Sequence, residues 1–145
     1  LYVTHDQAEA TTLADKIGVL KEGHLVQIGT PEEIYENPNS IYVSQRLGSP
    51  KINILPGTLI GMNDVPTFGI RPENITIGNG NHSAKIISIE NLGSETVVAL
   101  NFKDQEILVS IQGNYKSSIN ETINFDINNK KVLKFDQEGN RIYER

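Results

Sequence analysis

Three stretches in the second half of this chain alternate buried-type and polar residues with a period of two. That pattern limits the possible folds more than any other feature. Thr96, Val98, Leu100 and Phe102 fall on one side of their stretch, with Glu95 and Asn101 on the other. Ile107, Val109 and Ile111 alternate with Leu108, Ser110 and Gln112, and Ile123, Phe125 and Ile127 alternate with Thr122, Asn124 and Asp126. Successive strand side chains point to opposite faces, so each stretch reads as a strand with one buried face. Turn signals separate them: Asn91-Leu92-Gly93, Lys103-Asp104-Gln105, Asn128-Asn129 and residues 136–140. The Asn- and Gly-rich residues 78–81 read as a further turn. A series of short strands at this spacing predicts a small barrel or sandwich after about Asn53.

The first fifty residues carry different signals. Tyr2-Val3-Thr4 reads as a short strand, and Asp6 with Glu9 makes a capping-box pattern. Ala10, Leu13, Ala14 and Ile17 then recur at helical spacing. His5 stands where the strand feeds the helix. Free amides and the helix dipole attract anions at such a junction, although a strand-end histidine with a structural hydrogen bond has the same local sequence. Ile17-Gly18-Val19-Leu20 and Leu25-Val26-Gln27-Ile28 flank a hairpin tip at Glu22-Gly23, with His24 as a solvated turn residue. Thr30-Pro31-Glu32-Glu33 starts a helix that Asn37-Pro38 ends. A third short helix is predicted over residues 41–47, stopped by Gly48. Arg71-Pro72-Glu73 reads as a structural corner at a strand end, because proline cannot donate to a ladder. Gly69 and Gly93 read as turn or bulge glycines.

Charge and composition exclude several functions. The net charge is −5 over 145 residues, and residues 51–145 hold ten Lys/Arg against eleven Asp/Glu. With no basic-aromatic stripe, nucleic acid is not an expected partner; Lys130, Lys131 and Lys134 read as a solvated strand face. There is no cysteine, and His5, His24 and His82 lack metal-ligand spacing, so no metal site is expected. No apolar run reaches membrane-spanning length and no signal peptide is evident, which predicts a cytoplasmic chain. An independent enzyme built on His5 and Asp6 is disfavoured, because neighbours on a strand face opposite ways and no nucleophile is paired with them.

The segment Leu1-Tyr2-Val3-Thr4-His5-Asp6-Gln7-Ala8-Glu9-Ala10 resembles the switch-histidine segment of ATP-binding cassette (ABC) ATPases. The junction Gly48-Ser49-Pro50-Lys51-Ile52-Asn53-Ile54-Leu55-Pro56-Gly57 is similar to the one that joins the catalytic domain to a regulatory β domain in the maltose/multiple-sugar importers. Phe68-Gly69-Ile70-Arg71-Pro72-Glu73-Asn74-Ile75 resembles the "GIRPE" signature of that domain, and Glu90-Asn91-Leu92-Gly93-Ser94-Glu95-Thr96 its "LG-x-E-T" turn. The chain departs from the family at Ile52 and Thr11, where Met is usual, and by a short piece between Ile60 and Phe68.

The resemblance implies a mainly β fold with a small α/β N-terminal piece. Residues 1–50 would be the C-terminal remnant of an ABC nucleotide-binding domain. Residues 51–145 would be an OB-like (TOBE/MOP-like) regulatory β-barrel. His5 would contact the γ-phosphate in the complete protein, while Gly48, Ser49, Pro50, Asn53, Gly69, Arg71, Pro72, Glu73, Gly93 and Glu95 would belong to junction and regulatory motifs. No GxxxxGK[ST] phosphate loop is present, so no ATPase activity is expected of this chain alone, with ATP and magnesium bound only in the complete protein. A chain opening on Leu and not Met is expected to be a truncated piece, a proteolytic fragment or the product of a broken reading frame. The implied partners are a second copy, transmembrane permease subunits that hold it at the inner membrane face, and regulatory proteins. The implied solute is a carbohydrate, with polyamine, iron, sulfate or glycerol-phosphate importers sharing the layout. A stand-alone β-barrel module binding a small ligand or a regulator is the competing expectation. Apolar faces in residues 1–50 need cover from the β module or a second copy, or else remain partly disordered.

Overall fold

The structure is a computed structural model that describes residues 15–143. Its N-terminal part is a hairpin and two short helices. Strands β1 (Ile17–Lys21) and β2 (His24–Gly29) pair antiparallel, with Lys21 opposite His24. Glu22 and Gly23 between them both have positive φ (52° and 79°), the backbone geometry a two-residue hairpin needs. Ile17 therefore opens a strand and does not close the helical stripe expected from Ala10, Leu13 and Ala14. Its β-branched side chain joins the cluster that Val19 and Val26 bury against the helices.

Helix α1 (Pro31–Glu36) starts with the capping box its sequence predicts. The Glu33 N–H donates to Thr30 Oγ1 at 3.1 Å and the Thr30 N–H donates to Glu33 Oε2 at 3.2 Å. Thr30→Ala is expected to cost about 1 kcal/mol, read as a shift in the urea midpoint at unchanged m-value. Helix α2 (Ile41–Ser44) is shorter than the expected 41–47, because the Arg46 N–H bonds back to Val43 O and Gly48 turns the chain at φ 102°. Ile34, Val43 and Leu47 bury against Val19, while the other face of the hairpin leaves Leu20, Leu25 and Ile28 exposed.

Two four-stranded antiparallel sheets follow. The first runs in the order β10-β9-β4-β3, from β3 (Asn53–Pro56), β4 (Thr67–Ile70), β9 (Leu133–Phe135) and β10 (Arg141–Ile142). The second runs β7-β6-β5-β8, from β5 (Ile75–Asn91), β6 (Glu95–Phe102), β7 (Gln105–Gln112) and β8 (Thr122–Ile127). Their facing sides make one core, in which Phe68, Ile70, Ile86, Val98, Leu100, Ile107, Val109 and Phe125 are fully buried. The three alternating stretches seen in sequence are β6, β7 and β8, with the apolar phase inward as expected. The mainly β, OB-like expectation holds, and no single backbone ladder closes the sheets into a barrel.

Three local readings need correction. Residues 78–81 are not a turn between strands but an excursion within the seventeen-residue β5, so that Ile77 and His82 both stand opposite Phe125. Glycine is required there: a Cβ on Gly80 would lie 2.0 Å from the Phe125 carbonyl oxygen. Gly69 is neither turn nor bulge. It sits within β4, opposite Ile54 and Leu133, and a Cβ would meet Ile52, Phe135 and Ile54 at 3.0, 3.1 and 3.3 Å. Lys130 and Lys131 lie in a 3-10 turn (Asn129–Lys131), not on a strand face, and Lys131 Nζ pairs with Glu36 Oε2 at 3.3 Å.

Candidate functional site

The motif residues concentrate where the helices meet the β module. Arg71 leaves the end of β4 and is only 3% exposed. Its Nη1 donates to Ser44 O at 3.0 Å and to Leu47 O at 2.7 Å, and its Nη2 donates to Tyr35 O at 3.0 Å. Tyr35 O and Ser44 O are carbonyls at the C-terminal ends of α1 and α2, and Leu47 O lies three residues past α2. Neither helix has a basic residue in its own last turn, so Arg71 supplies the positive charge and donors both ends lack. The guanidinium also stacks on the Tyr35 ring, 4.0 Å from its centroid.

The neighbouring motif residues make this grip possible. Pro72 begins a 3-10 turn (Pro72–Asn74) that fixes the direction in which the chain leaves Arg71. Glu73 accepts a hydrogen bond from the Tyr35 hydroxyl. Gly48, at φ 102°, leaves room for the guanidinium: a Cβ there would stand 3.0 Å from Arg71 Nη1 and 3.2 Å from Tyr35 Cε2. Burial, the hydrogen bond to Glu73 and the charge of that carboxylate raise the Tyr35 pKa well above its ordinary value, so the phenol stays protonated and keeps donating. Burial lowers the Arg71 pKa, opposed by Tyr35, Glu73 and Glu36, yet a guanidinium remains charged in the working range. The structural-corner expectation for Arg71-Pro72-Glu73 matches this geometry, and Tyr35 is the partner that sequence reasoning missed.

Asn53 does a related job between the two sheets. Its side chain is buried on β3 and behaves like an extra peptide group added to β7. The Leu108 N–H donates to Asn53 Oδ1 at 2.8 Å, while Nδ2 donates to Leu108 O at 2.9 Å and to Ile70 O at 3.2 Å. One carboxamide thus joins the β3 edge to the β7 edge where no backbone ladder does. Ser49 and Pro50 lead into it through a cis peptide.

A second set of contacts fastens the helices from the other end of the chain. The Ile41 N–H donates to Gly139 O at 2.9 Å, and the Arg141 N–H donates to Asn39 O at 2.9 Å. Ile41 packs on the outer face of the first sheet with Ile52, Leu133 and Phe135. Ile34, Val43 and Leu47 are thus covered by Val19 and its neighbours and Ile41 by the β module, while Leu20, Leu25 and Ile28 stay exposed.

Gly93 and Glu95 lie apart from this junction. Gly93, at φ 95°, turns the chain between β5 and β6, and its N–H donates to Asn91 Oδ1 at 2.9 Å. Glu95 Oε2 accepts from Ser110 Oγ at 2.5 Å. Beside them Thr96, fully buried, donates from Oγ1 to Gly113 O at 2.7 Å and accepts from the Tyr115 N–H at 3.2 Å. His5 and its expected helix cap fall outside the described residues. Among those described, no group of His, Asp or Glu is arranged to hold a metal ion. No helix among them is long and apolar enough to cross a membrane.

Comparison with known proteins agrees with this geometry. Residues 68–131 match the TOBE domain family. The chain is 34% identical to the sn-glycerol-3-phosphate import ATP-binding protein UgpC of Psychromonas ingrahamii, over 99% of this chain and 46% of that protein. It is 30% identical to the alpha-glucoside transport ATP-binding protein AglK of Rhizobium meliloti, over 96% of this chain and 47% of that protein. It is also 36% identical to the xylose/arabinose import ATP-binding protein XacK of Haloferax volcanii, over 72% of this chain and 34% of that protein. The chain thus spans less than half the length of each of these relatives. By its motifs, its mainly β fold and these relatives, the chain belongs with the ATP-binding subunits of ABC importers, and carries a TOBE domain over residues 68–131.

Proposed function

We propose that this chain couples and regulates the ATPase of a carbohydrate importer. Residues 1–50 are the end of the nucleotide-binding domain and residues 51–145 the regulatory β domain. The observation that carries the reading is the Arg71 clamp: a residue of the TOBE domain holds the C-terminal ends of both described helices. A displacement of the β module is then transmitted to the helices without passing through a flexible linker. In the complete protein His5 contacts the γ-phosphate and positions the attacking water, with ATP and magnesium held by residues outside this chain. A second copy, permease subunits at the inner membrane face and regulatory proteins are its partners.

His5→Ala in the complete protein is expected to lower ATP-driven uptake by about 100-fold or more while leaving dimerisation intact. Uptake by reconstituted vesicles, with light scattering for mass, reads both. Transport that survives the substitution removes His5 from the mechanism. A glycerol-phosphate solute is the second reading, supported by the name of the relative UgpC. Competition between labelled sugar and labelled glycerol phosphate in the same vesicles separates the two.

A further inference from the structure

Residues 78–81 leave the ladder of β5 in an unusual way. Ile77 and His82 both stand opposite Phe125, so β8 has no residue to place against those between them. On the other side, β6 pairs with β5 only from Lys85 to Asn91. The excursion Gly78-Asn79-Gly80-Asn81 is therefore registered at its two ends and paired along its length by neither neighbouring strand. All of its residues are exposed.

Within the excursion lies Asn79-Gly80, the sole Asn-Gly pair in the sequence. Asparagine is a thermolabile residue, and a following glycine carries no side chain to hinder attack on the asparagine amide. The fold itself demands that glycine. A Cβ at position 80 would run into the Phe125 carbonyl and the Asp126 nitrogen, so no larger, protective residue fits after Asn79. Gly78, at φ 129°, sets the backbone before it in a region that side chains disfavour.

We propose that Asn79 is a self-modification site whose isoaspartyl product dislodges His82 from its aromatic contacts. The Gly80 backbone nitrogen attacks the side-chain carbonyl carbon of Asn79 and loses its proton to solvent base, closing a five-membered succinimide. The bond from that carbon to the side-chain nitrogen breaks, and ammonia leaves with a proton taken from water. A water molecule then opens the ring. Opening at the side-chain carbonyl gives aspartate, and opening at the main-chain carbonyl gives isoaspartate. Water is consumed and ammonia released, with no oxidant or reductant needed. Both reacting groups belong to adjacent residues, so the slow step is intramolecular.

The two products differ in what they do to the fold. Aspartate only adds charge at an exposed position. Isoaspartate routes the main chain through the side chain of residue 79 and so lengthens the path between Ile77 and His82, whose partner in β8 is the same residue. The His82 ring packs on Phe102 and Phe125, with centroids 5.4 and 5.3 Å away, and both phenylalanines are buried. A longer path between fixed ends displaces that ring.

The test incubates the purified full chain at physiological temperature, at pH 6 and at pH 8.5, and follows each asparagine by peptide mapping with mass spectrometry. Asn79 is expected to convert at least about tenfold faster than Asn129, which is equally exposed but followed by Lys130. The rate is expected to rise with pH, because the attack needs the Gly80 nitrogen without its proton. In the chromatographically separated isoaspartyl fraction, the His82 ring resonances are expected to shift and the urea midpoint to fall. Asn79→Gln, whose longer side chain would have to close a larger ring, is expected to stay unmodified, with a midpoint close to the parent before and after incubation. Conversion of Asn79 no faster than that of Asn129 overturns the proposal. So does an isoaspartyl fraction whose His82 resonances and midpoint match the fresh chain, or a midpoint that falls as far in Asn79→Gln as in the parent.

Discussion

Arg71→Ala is expected to cost about 3–5 kcal/mol, the largest loss from any single change in the junction. The substitution removes three charge-assisted hydrogen bonds and leaves the carbonyls of Tyr35, Ser44 and Leu47 without their donor. Each buried acceptor left unmet costs about 1–3 kcal/mol, although water entering the vacated space recovers part of that. Arg71→Lys keeps the charge but cannot present two nitrogens to three carbonyls, and about half the loss is expected to remain. Urea unfolding followed by tyrosine fluorescence and far-ultraviolet circular dichroism checks this. In the parent the two probes are expected to coincide. In Arg71→Ala the helices and hairpin are expected to unfold at lower urea than the sheets, so the curves separate. Coincident curves with an unchanged midpoint would show that the clamp carries no coupling.

Asn53→Asp is the second large effect, and its sign with pH makes it diagnostic. The parent carboxamide donates to two carbonyls and accepts one N–H, so it needs both ends of the amide. A carboxylate sets an anionic oxygen against Leu108 O and Ile70 O in a buried seam, at an expected cost of about 2–4 kcal/mol near neutral pH. Burial and the two facing carbonyls raise the folded-state pKa of the introduced acid above its unfolded value of about 3.9. The folded state then binds more protons than the unfolded state between those two values. The deficit against the parent is therefore full above the folded pKa and shrinks as pH falls towards about 4. Asn53→Ala carries no titrating group and is expected to show a deficit that does not change over that range. Parallel urea series at pH 7 and pH 4.5 distinguish the two variants, and identical pH trends would mean the side chain is not held between the carbonyls.

Local signals explain which parts of the fold were legible in the sequence. The Glu22-Gly23 tip, the Thr30 capping box and the inward phase of β6, β7 and β8 depend on residues within a few positions of one another, and all stand as read. Residues 78–81 were misread because their composition signals a turn, whereas the governing contact is with the Phe125 backbone on another strand. Gly69 was misread for the same reason: what forbids a side chain there is the convergence of Ile52, Ile54 and Phe135 on one face of a strand. Within the candidate site, Arg71-Pro72-Glu73 and Asn53 stood out as motifs, but their partners lie far along the chain. Arg71 reaches back 24 to 36 positions and Asn53 forward 55. No periodicity or spacing rule pairs such residues, and Tyr35 carries no local mark of its role.

The latch of residues 139–141 onto α2 has a consequence for biogenesis. Ile41 takes its acceptor from Gly139, and Asn39 its donor from Arg141, about a hundred positions later in each case. Ribosomes add roughly 5–20 residues per second, so the amide of Ile41 is made on the order of 5–20 s before the group that satisfies it. During that interval the first helices emerge with their final partners not yet synthesised. Nascent chains stalled short of Gly139 would thus carry an open helix pair, with Ile41 and the outer face of the first sheet accessible to chaperones, and release of the last strand would close it.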